Sequence, residues 1–87
     1  MKTSVAICTF NGEQYLETQL QSIIDQSIKV DEIIICDDRS NDRTKSILMK
    51  FEKQHKGLIR LFLNKKNLGF IKNFEKAISL CSEEIIF

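Results

Sequence analysis

The chain has 87 residues, enough for one domain or part of one. Hydrophobic residues make up 43% and charged residues 29%, a balance that argues against disorder. Thirteen basic residues face 12 acidic ones, a formal net charge of +1. That excludes the electrostatic footprint of a nucleic-acid or anionic-membrane binder, and no nucleic-acid partner is expected.

No apolar run approaches the ~18–20 residues that span a bilayer. Met1-Lys2 leads straight into a strand-like segment without a signal-peptide pattern, so a cytoplasmic location is expected. The three cysteines, Cys8, Cys36 and Cys81, have long spacings and each lies in an apolar segment. They read as buried, reduced thiols, with no metal-ligand pair and no redox motif.

The pass along the chain begins with Ser4–Cys8 (SVAIC), a short apolar run that reads as strand one. Asn11 is placed to cap a helix, with Gln14 three residues on. Leu16, Leu20, Ile23 and Ile24 then recur at helical spacing, and the helix should end near Gln26-Ser27. Tyr15 reads as partly buried helix packing.

Glu32–Cys36 is strand two. Its run Ile33-Ile34-Ile35 does not alternate, which suits a central parallel strand covered on both faces. Ser40 or Asp42 caps the next helix, whose inner face is Thr44, Ile47, Leu48 and Phe51, with Gly57 as its stop. Leu58–Leu63 is strand three. A polar loop, Asn64 to Gly69, follows. Phe70, Phe74, Ala77, Ile78 and Cys81 form a third helical face, and Glu84–Phe87 opens a fourth strand.

The order β-α-β-α-β-α-β implies an α/β fold: a Rossmann-like parallel sheet with right-handed crossovers. Such sheets bind ligands beyond the carboxyl ends of their strands, where strand order reverses. Three segments fall on that edge: Thr9–Glu13, Asp37–Asp42 and Asn64–Lys72.

Two adjacent carboxylates, Asp37 and Asp38, end strand two on this edge. Ionised carboxylates accept hydrogen bonds and donate none, and a nucleoside offers base N–H and ribose O–H donors. Neighbouring residues point to opposite sides, so one acid can face a ligand while the other caps a helix or binds loop amides. The same DDRSND stretch also reads as a plain strand-to-helix turn.

The segments SVAICTFNGEQYL, DEIIICDDRSNDRT and NLGF, in this order, resemble the start of inverting family-2 glycosyltransferases with the GT-A fold. The match covers essentially the whole chain. The resemblance implies that residues 1–87 are the nucleotide-binding amino-terminal half of a GT-A domain. The donor would be a UDP- or dTDP-linked sugar and the acceptor a glycan or a lipid-linked glycan. For a full-length enzyme, a place at the inner face of the membrane is implied.

By the same resemblance, Thr9, Phe10 and Asn11 lie against the base, and Phe10 stacks on it or meets its edge. Phe10 as a core residue and Asn11 as a plain helix cap are the structural alternatives. Glu13 reaches the ribose or base, or is a solvated first-turn acid. Asp38 is the foremost base or ribose contact and Asp37 the second. Asn67, Gly69 and Lys72 sit near the base and diphosphate, Gly69 as a point of close backbone approach. Lys72 is otherwise an ordinary exposed lysine.

The chain departs from the family pattern at Phe74-Glu75, where many relatives carry an Arg-Asn pair, and at Cys8, where proline is frequent. An acidic motif holding Mg2+ or Mn2+ is expected beyond Phe87, so no metal ligand and no catalytic base is expected within these residues. The sequence carries no signal for an oligomeric state. A nucleotidyltransferase would want a glycine-rich loop after strand one, where CTFNGEQ has one glycine. A phosphoacceptor domain would want its acidic pair after strand one.

Overall fold

A computed structural model describes residues 3–26 and 30–81, and the backbone of 84–86. Met1, Lys2, Ser27 and Phe87, which the sequence places in the first strand's approach, at the first helix's end and in the last strand, lie outside the described residues.

The elements are β1 (Thr3–Thr9), α1 (Leu16–Ile24), β2 (Glu32–Asp37), α2 (Thr44–Gln54), β3 (Ile59–Leu63), α3 (Phe70–Leu80) and β4 (Glu84–Ile86). The four strands form one sheet in the order β3-β2-β1-β4, every pair parallel. Cys8 pairs with Cys36, and Thr9 with Asp37. Chain order therefore runs outward from β1 to β3 and then jumps to the far side of β1.

That jump decides where the helices go. Right-handed crossovers that progress in one direction place α1 and α2 on one face, and the reversed crossover places α3 on the other. The strand periodicity supplies both faces. Val5, Ile7, Ile33, Ile35 and Ile59 pack against Leu16, Leu20, Leu48 and Phe51 of α1 and α2. Ala6, Ile34 and Cys36 pack against Ala77 of α3, with Cys8, Ile78 and Cys81 at the margin. Ile33, Ile34, Ile35 and Cys36 are all fully buried, because β2 has a strand on each side and helices on both faces. Each such isoleucine contributes ~1.5–3 kcal/mol of apolar burial.

Several local expectations are corrected. Asn11 does not cap α1, which starts at Leu16 behind a Gly12–Tyr15 turn. Asn11 sits in the left-handed region (φ 50°) and its side-chain oxygen accepts the Asn41 N–H instead. Asp42, not Ser40, serves the start of α2, accepting the Thr44 N–H at 2.8 Å. The helix stops at Gln54, before Gly57, which takes φ 91° in the turn that follows. Phe70 is not on the inner face of α3: it is 79% exposed and stacks on Phe74 at 6.3 Å. The residue buried one turn on is polar, Asn73. Of the cysteines, Cys36 is buried while Cys8 and Cys81 are half-buried, all three as free thiols.

Candidate functional site

The carboxyl ends of the strands carry three loops, and the two aspartates organise them. Asp37 follows the odd-numbered face toward α1 and α2. Its Oδ1 accepts the hydroxyls of Thr9 (2.7 Å) and Ser40 (2.6 Å), and its Oδ2 accepts the Ser40 N–H (2.9 Å). It is fully buried, and its carboxylate closes the β2–α2 turn onto β1.

Asp38 points the other way, toward α3. Its Oδ1 accepts the Leu68 N–H (2.6 Å) and the Asn64 side-chain amide (3.1 Å), and its Oδ2 accepts the Gly69 N–H (3.0 Å). Asn67 donates its side-chain amide to the Asp38 carbonyl. Burial raises the Asp38 pKa, but the hydrogen bonds from Leu68, Asn64, Gly69 and Asn67 outweigh it and hold the carboxyl below its ordinary 3.8.

The β1–α1 loop is fastened to the β2–α2 loop by three backbone amides. Asn11 N–H donates to Ser40 Oγ (2.9 Å), Gly12 N–H to Thr44 Oγ1 (2.8 Å) and Glu13 N–H to Asp42 Oδ2 (3.3 Å). Asp42 is also held below its ordinary value: burial raises it, and the hydrogen bonds from Thr44 and Glu13 together prevail. The two loops therefore form one rim.

Between this rim and the start of α3 lies a cavity of about 500 Å³. Cys8 and Thr9 line it from the end of β1 and Phe10 from just beyond it, Asp38 from just beyond β2, and Asn67, Gly69, Phe70 and Asn73 from the α3 side, with Tyr15 across the rim. It sits at the carboxyl end of β1, where strand order reverses. Three of the nine lining residues are aromatic, Phe10, Tyr15 and Phe70, and the one carboxylate among them is Asp38.

Of the residues singled out in the sequence, Thr9, Phe10, Asp38, Asn67 and Gly69 come together here. Asn11 and Asp37 lie outside the lining and tie the loops. Glu13 borders a shallow groove along α1 with Gln14 and Glu17. Lys72 is exposed on α3, outside the lining.

Tyr15 was expected in helix packing, but it is 61% exposed and faces the cavity. Its ring lies close over Gly12, where a Cβ would stand 3.3 Å from it. Phe70 and Asn73 were also missed as lining residues. The signal for Phe70 was its position directly after Gly69, where a helix begins at the sheet's edge.

Nothing in this cavity is an activated nucleophile. Burial, with Cys36 and Asp38 nearby, pushes the Cys8 thiol up to about 11, so it stays protonated near neutrality. Among the described residues no three His, Cys, Asp or Glu side chains gather to hold a metal ion. The arrangement instead suits a flat group with N–H or O–H donors on its rim. No helix among the described residues is long and apolar enough to cross a membrane.

Residues 4–87 match the family described as Glycosyl transferase family 2. An uncharacterized glycosyltransferase of Haemophilus influenzae is 43% identical over 70 residues, which is 80% of this chain and 21% of that protein. The cholesterol galactosyltransferase of Borreliella burgdorferi is 32% identical over 85 residues, 98% of this chain and 23% of its own length. This chain thus spans about a fifth to a quarter of these relatives. Among solved structures, S. aureus TarS in complex with UDP superposes with a TM-score of 0.84 at 27% identity, covering 100% of this chain and 26% of that one. The mannosyltransferase PcManGT from Pyrobaculum calidifontis, in complex with GDP-Man and Mn2+, gives 0.82 at 21% identity, covering 93% and 24%, and shares the fold. The sheet is the Rossmann-like α/β sheet of GT-A glycosyltransferases, and the chain belongs to glycosyl transferase family 2.

Proposed function

We propose that residues 1–87 are the amino-terminal, nucleotide-binding half of an inverting GT-A glycosyltransferase domain. The observation that carries this reading is the cavity at the switch point, lined by three aromatic rings and the Asp38 carboxylate. A nucleoside of a UDP- or dTDP-linked sugar matches it. The flat base lies against Phe10, with Tyr15 and Phe70 on the other sides. A base N–H or ribose O–H donates to Asp38.

The diphosphate belongs at the start of α3. Gly69 has φ 87° and open space where a Cβ would be, so backbone and ligand can approach closely. The N–H groups of the first turn of α3 have no acceptors within the helix, and they form the positive end of its dipole. Lys72, in that turn, adds charge. Asn11, Glu13 and Asp37 act behind the contacts, by holding the rim.

These residues bind and orient the donor; none is placed to deprotonate an acceptor. Sugar transfer by this chain alone is therefore not expected. A divalent metal would neutralise the diphosphate of a leaving nucleotide, and we read its ligands as lying beyond Phe87. The acceptor is read as a glycan or lipid-linked glycan, and the place of action as the inner face of the membrane. Supporting this is the Campylobacter jejuni relative named as a GalNAc(5)-diNAcBac-PP-undecaprenol glucosyltransferase, 43% identical over 63 residues.

Calorimetric titration with UDP tests the reading. A hydrogen bond to a charged group is worth ~1.5–3 kcal/mol, so Asp38→Ala should weaken binding about tenfold or more. Equal affinity in the variant would remove Asp38 from the site.

A further inference from the structure

Behind the Asp38 carboxylate, on its α3 side, sit two buried amides, Asn64 and Asn73. The Lys76 ammonium, which can only donate, hydrogen-bonds Asn64 Oδ1 at 2.6 Å. That fixes the Asn64 amide, whose Nδ2 then donates both to Asp38 Oδ1 (3.1 Å) and to Asn73 Oδ1 (2.8 Å). Asn73 Nδ2 in turn donates to the Cys36 carbonyl at 2.9 Å. Every link runs from donor to acceptor, and no buried side-chain nitrogen or oxygen among the described residues lacks a partner.

The network terminates on one oxygen. Asp38 Oδ1 receives Leu68 N–H and Asn64, whereas among the described residues Oδ2 receives Gly69 N–H, the nearby Asn67 amide being directed at the Asp38 carbonyl. A carboxylate oxygen accepts about two hydrogen bonds, so Oδ1 is filled and Oδ2 has capacity left.

We propose that Asn64, Asn73 and Lys76 are positioning residues of the cavity: they fill Asp38 Oδ1 and fix the carboxylate, leaving Oδ2 to meet the ligand. The inference rests on the reading of the cavity as a nucleotide site. Asn64 and Lys76 lie outside the cavity lining, and Asn73 lines the cavity while serving the network. What they set is the angle of one carboxylate and, through it, the loop that carries Gly69.

Asn64→Asp preserves shape, removes both donors and places a negative charge against Asp38. Two readouts on the 87-residue chain separate the claims: hydrogen exchange at the Leu68 and Gly69 amides without ligand, and affinity for UDP. Loss of a charge-assisted hydrogen bond is worth about tenfold or more, so Asn64→Asp should lose about that factor of protection at both amides and of UDP affinity, with the β1 and β2 core amides still protected. Lys76→Met removes the donor that orients Asn64 and should give a smaller loss at the same two amides, while Lys76→Arg, which keeps a donor, should restore them. If Asn64→Asp fails to fold, the two Lys76 variants decide.

Unchanged protection at Leu68 and Gly69 in the variants overturns the proposal. So does a loss spread evenly over the sheet, which is what a merely structural role produces. Loosened amides with wild-type UDP affinity overturn it as well. A wild-type chain that shows no UDP binding strikes at the nucleotide reading itself, and the exchange data still decide whether the network holds Asp38.

Discussion

Asp37 and Asp38 are neighbours in sequence and opposites in role. The strand pleat turns the first toward α1 and α2, where three hydrogen bonds bury it, and the second toward α3 and the cavity. Because the Asp38 pKa is depressed, its contribution to stability is complete above the ordinary value of 3.8 and is lost as pH falls through the folded-state value. Acidification below pH 3.8 should therefore loosen loop 64–69. Denaturation midpoints measured from neutral to acidic pH should fall less in Asp38→Asn than in the wild type. The next residue, Arg39, holds φ 57°, a left-handed conformation that costs a side-chain-bearing residue ~1–2 kcal/mol, offset in part by the chain entropy that glycine loses. Arg39→Gly should raise stability by about 0.5–1 kcal/mol in urea denaturation, and a loss of stability would mean the side chain has an unrecognised partner.

At the scale of the element, α3 is the instructive case. Its face toward the sheet looks apolar in sequence, with Ala77, Ile78 and Cys81 correctly placed. Phe70 was misassigned because the first turn overhangs the sheet's edge, where there is no strand to cover it. Asn73 was invisible because a polar residue on an apolar stripe reads as an interruption, and its partners, Cys36 and Asn64, lie 37 and 9 residues away. Asn73→Ala removes few apolar contacts but takes one hydrogen bond each from the buried Cys36 carbonyl and from the buried Asn64 amide, which keeps its bond to Asp38. It should cost about 1–3 kcal/mol in chemical denaturation, several times what an exposed position such as Lys72→Ala would cost. By contrast, β2 was legible to within one residue at its end, since three consecutive isoleucines suit a strand covered on both faces. The caps were less legible. Asn11 and Ser40 carry the residue types of helix caps, yet long-range partners outcompete the local ones.

For the whole molecule, the order of elements and the parallel sheet were readable from the alternation of the two periodicities. The location of the site followed from topology: with chain order reversing beside β1, the carboxyl end of that strand is where a crevice must open. What sequence alone did not reveal is the division of labour on that edge. Four of the nine proposed contacts lie outside the cavity lining, and three of those four, Asn11, Glu13 and Asp37, make hydrogen bonds that hold the loops together. Exposed aromatics at the rim, Phe10, Tyr15 and Phe70, form the apolar part of the surface a flat ligand would cover.

The most direct test is amide chemical-shift mapping of the chain during titration with UDP. Saturable shifts should concentrate at Phe10, Tyr15, Asp38 and Leu68 to Phe70. Shifts confined to the basic groove beside Lys50, Lys53 and Lys56, or none at millimolar UDP, would contradict a nucleotide site at the end of β1.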